Sequence, residues 1–165
     1  MTETSTSHDD KLPAIAQGQV FWHRGTIMDV RQLAKNEVCM EKNVLDTELQ
    51  ICSNRPRTGF YRDGLCRAGD DDLGTHTVCA VVTEEFLEYT RDRGNDLISA
   101  RPEYDFPGLR PGDRWCLCAL RWEEARLAGK APLIVLEATH QRTLELVDYA
   151  ELIQYAWRGS LRRPE

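Results

Sequence analysis

The residues of this 165-residue sequence best suited to chemistry are its six cysteines and four histidines, five of which fall into three local groups. Cys116-Leu117-Cys118 sits in an apolar stretch that reads as a strand. Side chains alternate there, so both sulfurs would project from one face, about 6.5–7 Å apart. In His76-Thr77-Val78-Cys79 an imidazole and a thiol stand three residues apart; on a strand they would face opposite ways, and only a turning chain at its start would bring them together. Glu137-Ala138-Thr139-His140 ends another apolar run, where open sheets place functional groups. A glutamate buried at such a point must be paired, protonated or ligating.

Each group has a structural alternative, because free cysteines also behave as small core hydrophobes and histidines as satisfied polar residues. Pooled, Cys52, Cys66, Cys79, Cys116, Cys118, His76 and His140 supply enough donors for one site holding zinc or another transition metal. The leading ligand set is Cys79, Cys116, Cys118 and His76. No CxxC knuckle is present, which argues against a structural zinc finger. The same residues suit a thiol nucleophile activated by imidazole, Cys66 or Cys79 with His76, with Glu137 and His140 as further catalytic candidates. In turn-rich segments, Arg62, Asp63, Asp96 and Arg101 either pair with one another or hold a carboxylate or phosphate of a small ligand. The run Asp70-Asp71-Asp72 reads as a solvated loop, since it lacks the Gly and terminal Glu of a calcium hand. Walker, GxGxxG, GxSxG and HExxH motifs are all missing.

Composition narrows the class. At 41% hydrophobic residues, 29% charged residues and a net charge of −6, one ordinary core is expected and a nucleic-acid surface is not. The polar start MTETSTSHDD and the lack of any apolar run of about eighteen residues point to a cytoplasmic protein without a membrane partner. There the cysteines are expected as thiols, ligands or redox groups rather than structural bridges.

The elements that must position these residues are short. Residues 1–18 read as a flexible tail, 19–42 as an N-terminal extension packing on the domain, 43–157 as the globular domain and 158–165 as a frayed tail. Strands are expected at Gly59–Arg62, His76–Val82, Trp115–Leu120 and Pro132–Glu137. Thr83 can cap a helix from Glu84 to Asp92 that stops at Gly94; a second helix passes Glu123 and ends at Gly129, and a third opens at Asp148. Residues 95–113, with three prolines and two glycines, form a long loop. The fold class is α+β: a single domain with a small mixed sheet, three or more short helices and long loops.

The segments CSNRPRTGFYRDGLC, GTHTVCAVVTEEFLEYTRDRGNDL, RPEYDFPGLRPGDRWCLCALRWEEA and APLIVLEATH closely resemble the bacterial domain-of-unknown-function family 2237, over about Asn43 to Ala156. The resemblance carries no established activity and hence no catalytic residues. It implies that Cys52, Arg62, Asp63, Cys66, His76, Cys79, Asp96, Arg101, Cys116, Cys118, Glu137 and His140 belong to the family's pattern. This chain departs from it at Leu65, where the family tends to place the first of two adjacent cysteines, and at Ile51, where it tends to place proline. The expected function is a small enzyme acting on a small polar or anionic molecule through a Cys/His centre. The alternative is a binding or adaptor module whose cysteines fill the core and whose aromatic N-terminal segment meets a protein partner.

Overall fold

The computed structural model describes residues 20–23, 26–29 and 41–159, in two units, Met1–Cys39 and Met40–Glu165. In the first unit, β1 (Val20–His23) and β2 (Thr26–Asp29) pair antiparallel, with Val20 opposite Asp29 and His23 opposite Thr26. The expected tail over 1–18 lies outside the described residues, as do the side chains of the 19–40 segment and residues 160–165.

The second unit is an α+β fold built on a three-stranded sheet of order β4-β3-β5, where β3 is Val78–Val81, β4 Arg114–Leu117 and β5 Leu133–Ile134. Both pairings are antiparallel, so β4 and β5 run in the same direction on either side of β3. Parallel pairing enters as the isolated bridges Cys66–Thr139 and Ile134–Ala156. Among the described residues three helices complete the unit: α1 (Glu84–Asp92), α2 (Ala119–Leu127) and α3 (Tyr149–Gln154).

Strand alternation sorts the sheet into two chemically different faces. Val78, Ala80, Trp115, Leu117 and Ile134 enter the main core with Phe86 and Leu87 of α1, Trp122 and Ala125 of α2 and Leu152 of α3. Cys79, Cys116 and Val135, the intervening residues, enter a second cluster with Cys52, Cys66 and Ala138. Trp122 is fully buried and its indole N–H donates to the Pro132 carbonyl at 3.1 Å, which meets the polar demand of a core tryptophan.

Helix α1 follows its expected bounds because both ends are chemically marked. Thr83 Oγ1 accepts from the Phe86 N–H at 3.2 Å, Glu84 and Glu85 occupy the positive end, and Gly94 takes φ +83° beyond the last turn. The expected strand His76–Val82 shortens to Val78–Val81, and the other three differ more. Gly59–Arg62 is a turn closed by Arg62 N–H to Gly59 O at 3.1 Å, with φ +93° at Gly59 and +55° at Arg62. A Cβ at Gly59 would collide with the Leu65 carbonyl oxygen, so this turn requires glycine. β4 ends at Leu117, and Cys118 is the residue at which the chain turns into α2. Of Pro132–Glu137 only Leu133–Ile134 is strand. Val135 N–H still donates to Cys79 O at 2.8 Å, but Ala138 N–H turns back to Val135 O at 3.1 Å and the chain tightens into a 3-10 turn over Leu136–Ala138. Among the described residues no helix is long and apolar enough to cross a membrane.

Candidate functional site

The sulfur face of the sheet overturns the expectation of unbridged cysteines. Cys52 is joined to Cys79 and Cys66 to Cys116, with Cα–Cα distances of 5.7 and 5.1 Å. Cys79 and Cys116 are direct neighbours across β3 and β4. Neither turns its N–H toward the other: Cys79 N–H donates to Thr139 Oγ1 at 3.2 Å and Cys116 N–H to Thr58 Oγ1 at 2.8 Å. They form a non-hydrogen-bonded pair, the kind that holds opposing side chains closest. Each nevertheless bonds to a cysteine of the preceding loop, and the Sγ atoms of Cys52, Cys66 and Cys116 all lie within 4.8 Å of one another. All four residues are at most 2% exposed.

The pairing corrects two site assignments. Cys66 and Cys79 carry no free thiol in this structure, so neither is a nucleophile activated by His76, and Cys79 and Cys116 offer no thiolate to a metal. Cys118 is a free thiol, half-buried at the start of α2 and outside the sulfur cluster. Five cysteines of one domain cannot all pair, and Cys118 is the odd one.

Beside this cluster lies a cleft of about 500 Å³. β4 is an edge strand, and Trp115 and Cys116 give the cleft its inner wall. The turn after Thr58 contributes Gly59, Phe60 and Arg62, and His76 stands just before β3. The long loop closes the other side with Asn95, Asp96, Leu97, Arg101, Tyr104 and Phe106. Five sequence-chosen residues, Arg62, His76, Asp96, Arg101 and Cys116, are thus brought together. Asn95, Tyr104, Phe106 and Trp115 join them without having been singled out, because core and loop residues become cleft walls only through tertiary packing.

Several of these side chains are held in place. The Arg62 guanidinium lies 4.9 Å from the centroid of the Trp115 ring, a cation–π contact. His76 stacks on Phe60 at 6.2 Å, and its Nδ1 is 2.6 Å from Asp72 Oδ1 while its backbone N–H donates to Asp72 Oδ2 at 2.7 Å. The Asp72 side chain is 0% exposed, so the third aspartate of the acidic run is a buried partner rather than a solvated residue. With Nδ1 taken, Nε2 has no hydrogen-bond partner among the described residues and is the ring nitrogen left to exchange a proton. Strained backbone clusters here as well: Arg62, Thr75 and Asp105 have φ of +55°, +48° and +49°. For a β-branched threonine this is a genuine outlier, of the sort that surrounding structure must enforce. Asp96 is lowered to about 2, first by hydrogen bonding from Ser99, then from the Ile98 N–H, with Arg101 contributing. It is therefore an anion throughout the physiological range, and it shapes the loop that carries Arg101.

The remaining candidates serve the framework. Asp63 Oδ1 accepts from the Leu65 N–H at 3.0 Å and Oδ2 pairs with Arg67 at 2.6 Å. Glu137 is reached through its backbone carbonyl, which accepts from Gln50 N–H and Asn43 Nδ2, each at 2.9 Å. His140 is 5% exposed and caps the 3-10 turn Gln141–Glu145, its Nδ1 accepting from the Arg142 N–H at 3.0 Å. Burial, reinforced by Arg142, holds the His140 imidazole below its ordinary pKa, which keeps it neutral and able to accept that bond. Its Nε2 is 3.7 Å from Glu41 Oε2, a carboxyl raised by burial against the pull of Arg67.

No curated protein matches the chain. A family model described as an uncharacterized protein conserved in bacteria (DUF2237) matches residues 42–156. That span takes in the sheet, all three helices, both disulfides and every wall of the cleft, and the chain therefore belongs to this bacterial family.

Proposed function

We propose that the chain is a small enzyme whose cleft takes a small anionic molecule, with Arg62 and Arg101 holding its negative charge and His76 moving a proton. The observation that carries this reading is the meeting of two arginines and a carboxylate-backed histidine in one cleft of about 500 Å³. Pockets of this size suit metabolite-sized ligands. Guanidinium groups are the side chains best matched to carboxylate and phosphate. Arg62 is already immobilised over Trp115, so part of the ordering cost of binding is met before the ligand arrives. Asp72 fixes the ring so that Nε2 is the atom that exchanges the proton. In this disulfide-bonded state no metal enters the reading, because Cys79 and Cys116 hold no thiolate.

Calorimetric titration of the oxidised protein with succinate and with inorganic phosphate tests the proposal. At least one should bind, and Arg62→Ala or Arg101→Ala should weaken that binding about tenfold each, the worth of one charge-assisted contact. Arg142→Ala, outside the cleft walls, should leave it unchanged. Absence of binding by either anion, or binding indifferent to both cleft arginines, would reject the enzyme reading in favour of a module whose bridged cysteines only staple the core.

A further inference from the structure

We propose that the anion taken by the cleft is a small acidic thiol, and that the Cys66–Cys116 disulfide, which reaches the cleft wall through Cys116, is its electron acceptor, with Cys52–Cys79 as a second acceptor. The inference rests on the anion reading and names its substrate class. Of the four bridged cysteines, Cys116 is the one that lines the cleft, alongside Arg62, His76 and Arg101. A carboxylate held by the arginines would place a neighbouring sulfur toward that wall, and His76 Nε2 is there to take the S–H proton. The second observation is the sulfur geometry. Cys66 Sγ lies within 4.8 Å of Cys52 Sγ, and Cys79 already faces Cys116 across the strands. Exchange between the bridges requires no slip of the strand register.

The chemistry balances without an added oxidant. One thiol gives its proton to His76, and its sulfur attacks Cys116 Sγ. The Cys66–Cys116 bond breaks, a substrate–Cys116 bond forms, and Cys66 leaves as a thiolate. A second molecule of the thiol, arriving as its thiolate with its proton given up to solvent, attacks the substrate sulfur of that mixed disulfide, releasing the small disulfide and the Cys116 thiolate. Two thiols have been oxidised and one protein disulfide reduced to two thiolates, with one proton on His76 and the other in solvent. The Cys66 thiolate then attacks Cys52 Sγ, breaking Cys52–Cys79. Attack of the Cys116 thiolate on Cys66 Sγ restores the cleft disulfide and leaves the electron pair on Cys52 and Cys79. With two bridges per chain, the oxidised protein consumes up to four thiols in a single turnover, and a Cys52→Ser/Cys79→Ser variant up to two.

The test mixes oxidised protein with mercaptosuccinate or with neutral 2-mercaptoethanol, without oxygen, at matched thiolate concentrations. Each rate is divided by that of the same thiol on a small neutral disulfide. Mercaptosuccinate should then be favoured about tenfold or more, and Arg62→Ala/Arg101→Ala, with its bridges intact, should lose the preference. Peptide mapping of acid-quenched samples should place the adduct on Cys116. Equal normalised rates, a preference that survives in the double arginine variant, or an adduct confined to Cys52 or Cys79 would overturn the proposal. Succinate separates the two levels. If it binds through the arginines while mercaptosuccinate leaves the bridges intact, the thiol inference falls and the anion reading stands; if neither of these nor inorganic phosphate binds, both fall.

Discussion

Replacing Cys66 and Cys116 together by serine is expected to lower the free energy of unfolding by about 4 kcal/mol, the loop-closure value for a bridge spanning 50 residues. The corresponding change at Cys52 and Cys79, which span 27 residues, should lower it by about 3.5 kcal/mol. Double rather than single substitutions are the fair comparison, since a lone cysteine left in the cluster would be free to attack the other bridge. Both bridges join the loop between Asn43 and Gly74 to β3 or β4, where backbone hydrogen bonds are few and turn residues many. The stabilisation acts by limiting the unfolded chain, and the apolar wall of Val135 and Ala138 suits a neutral disulfide better than two hydroxyls. Urea unfolding of oxidised wild-type and variant proteins measures the difference. A loss below about 1 kcal/mol would mean that the bridges add little constraint, and equal midpoints for wild type with and without reductant would mean the same.

The second large effect belongs to a residue with no chemical role. Asn43 is 0% exposed. Its Nδ2 lies 2.8 Å from Thr47 Oγ1, 3.0 Å from Glu48 O and 2.9 Å from Glu137 O, its two hydrogens shared among these three acceptors, while its Oδ1 accepts from Leu45 N–H at 2.9 Å and Thr47 N–H at 3.2 Å. One amide thus closes the turn at residues 43–48 and ties it to the 3-10 turn at Glu137. Asn43→Ala leaves several buried groups unpaired, at about 1–3 kcal/mol each before relaxation, so a loss of about 3–4 kcal/mol is expected. Asn43→Asp keeps the size but sets a carboxylate against the Glu48 and Glu137 carbonyls. It should be at least as damaging at neutral pH, which chemical denaturation will show. A near-neutral Asn43→Asp would mean that shape rather than donor placement matters there.

How far the sequence reached follows from the range of the interactions involved. Helix α1 was legible because Thr83, the Glu84-Glu85 pair and Gly94 act within a few residues of the helix they delimit. The two ends of the cleft were legible as arginine-bearing loops, and His76 as an imidazole suited to chemistry, without the carboxylate that orients it. That carboxylate was hidden, since the three consecutive aspartates are alike in sequence and only the turn through Gly74 and Thr75 selects Asp72. The disulfides were hidden for a deeper reason. Spacing does not determine connectivity, and the pairing depends on two loop cysteines reaching a sheet face that forms only when β3 and β4 align. Glu137 and His140 had the look of strand-end chemistry. Their segment instead turns at Leu136 and is held by Asn43, whose burial no local pattern announces.

The central claim is that the cysteines form two bridges, one of which reaches the cleft wall through Cys116. Alkylation of oxidised, native protein followed by non-reducing peptide mapping tests it most directly. The account predicts linked peptides Cys52–Cys79 and Cys66–Cys116, with the label on Cys118. Recovery of Cys66 and Cys116 as separate alkylated peptides, or of Cys118 in a bridge with either of them, would contradict it.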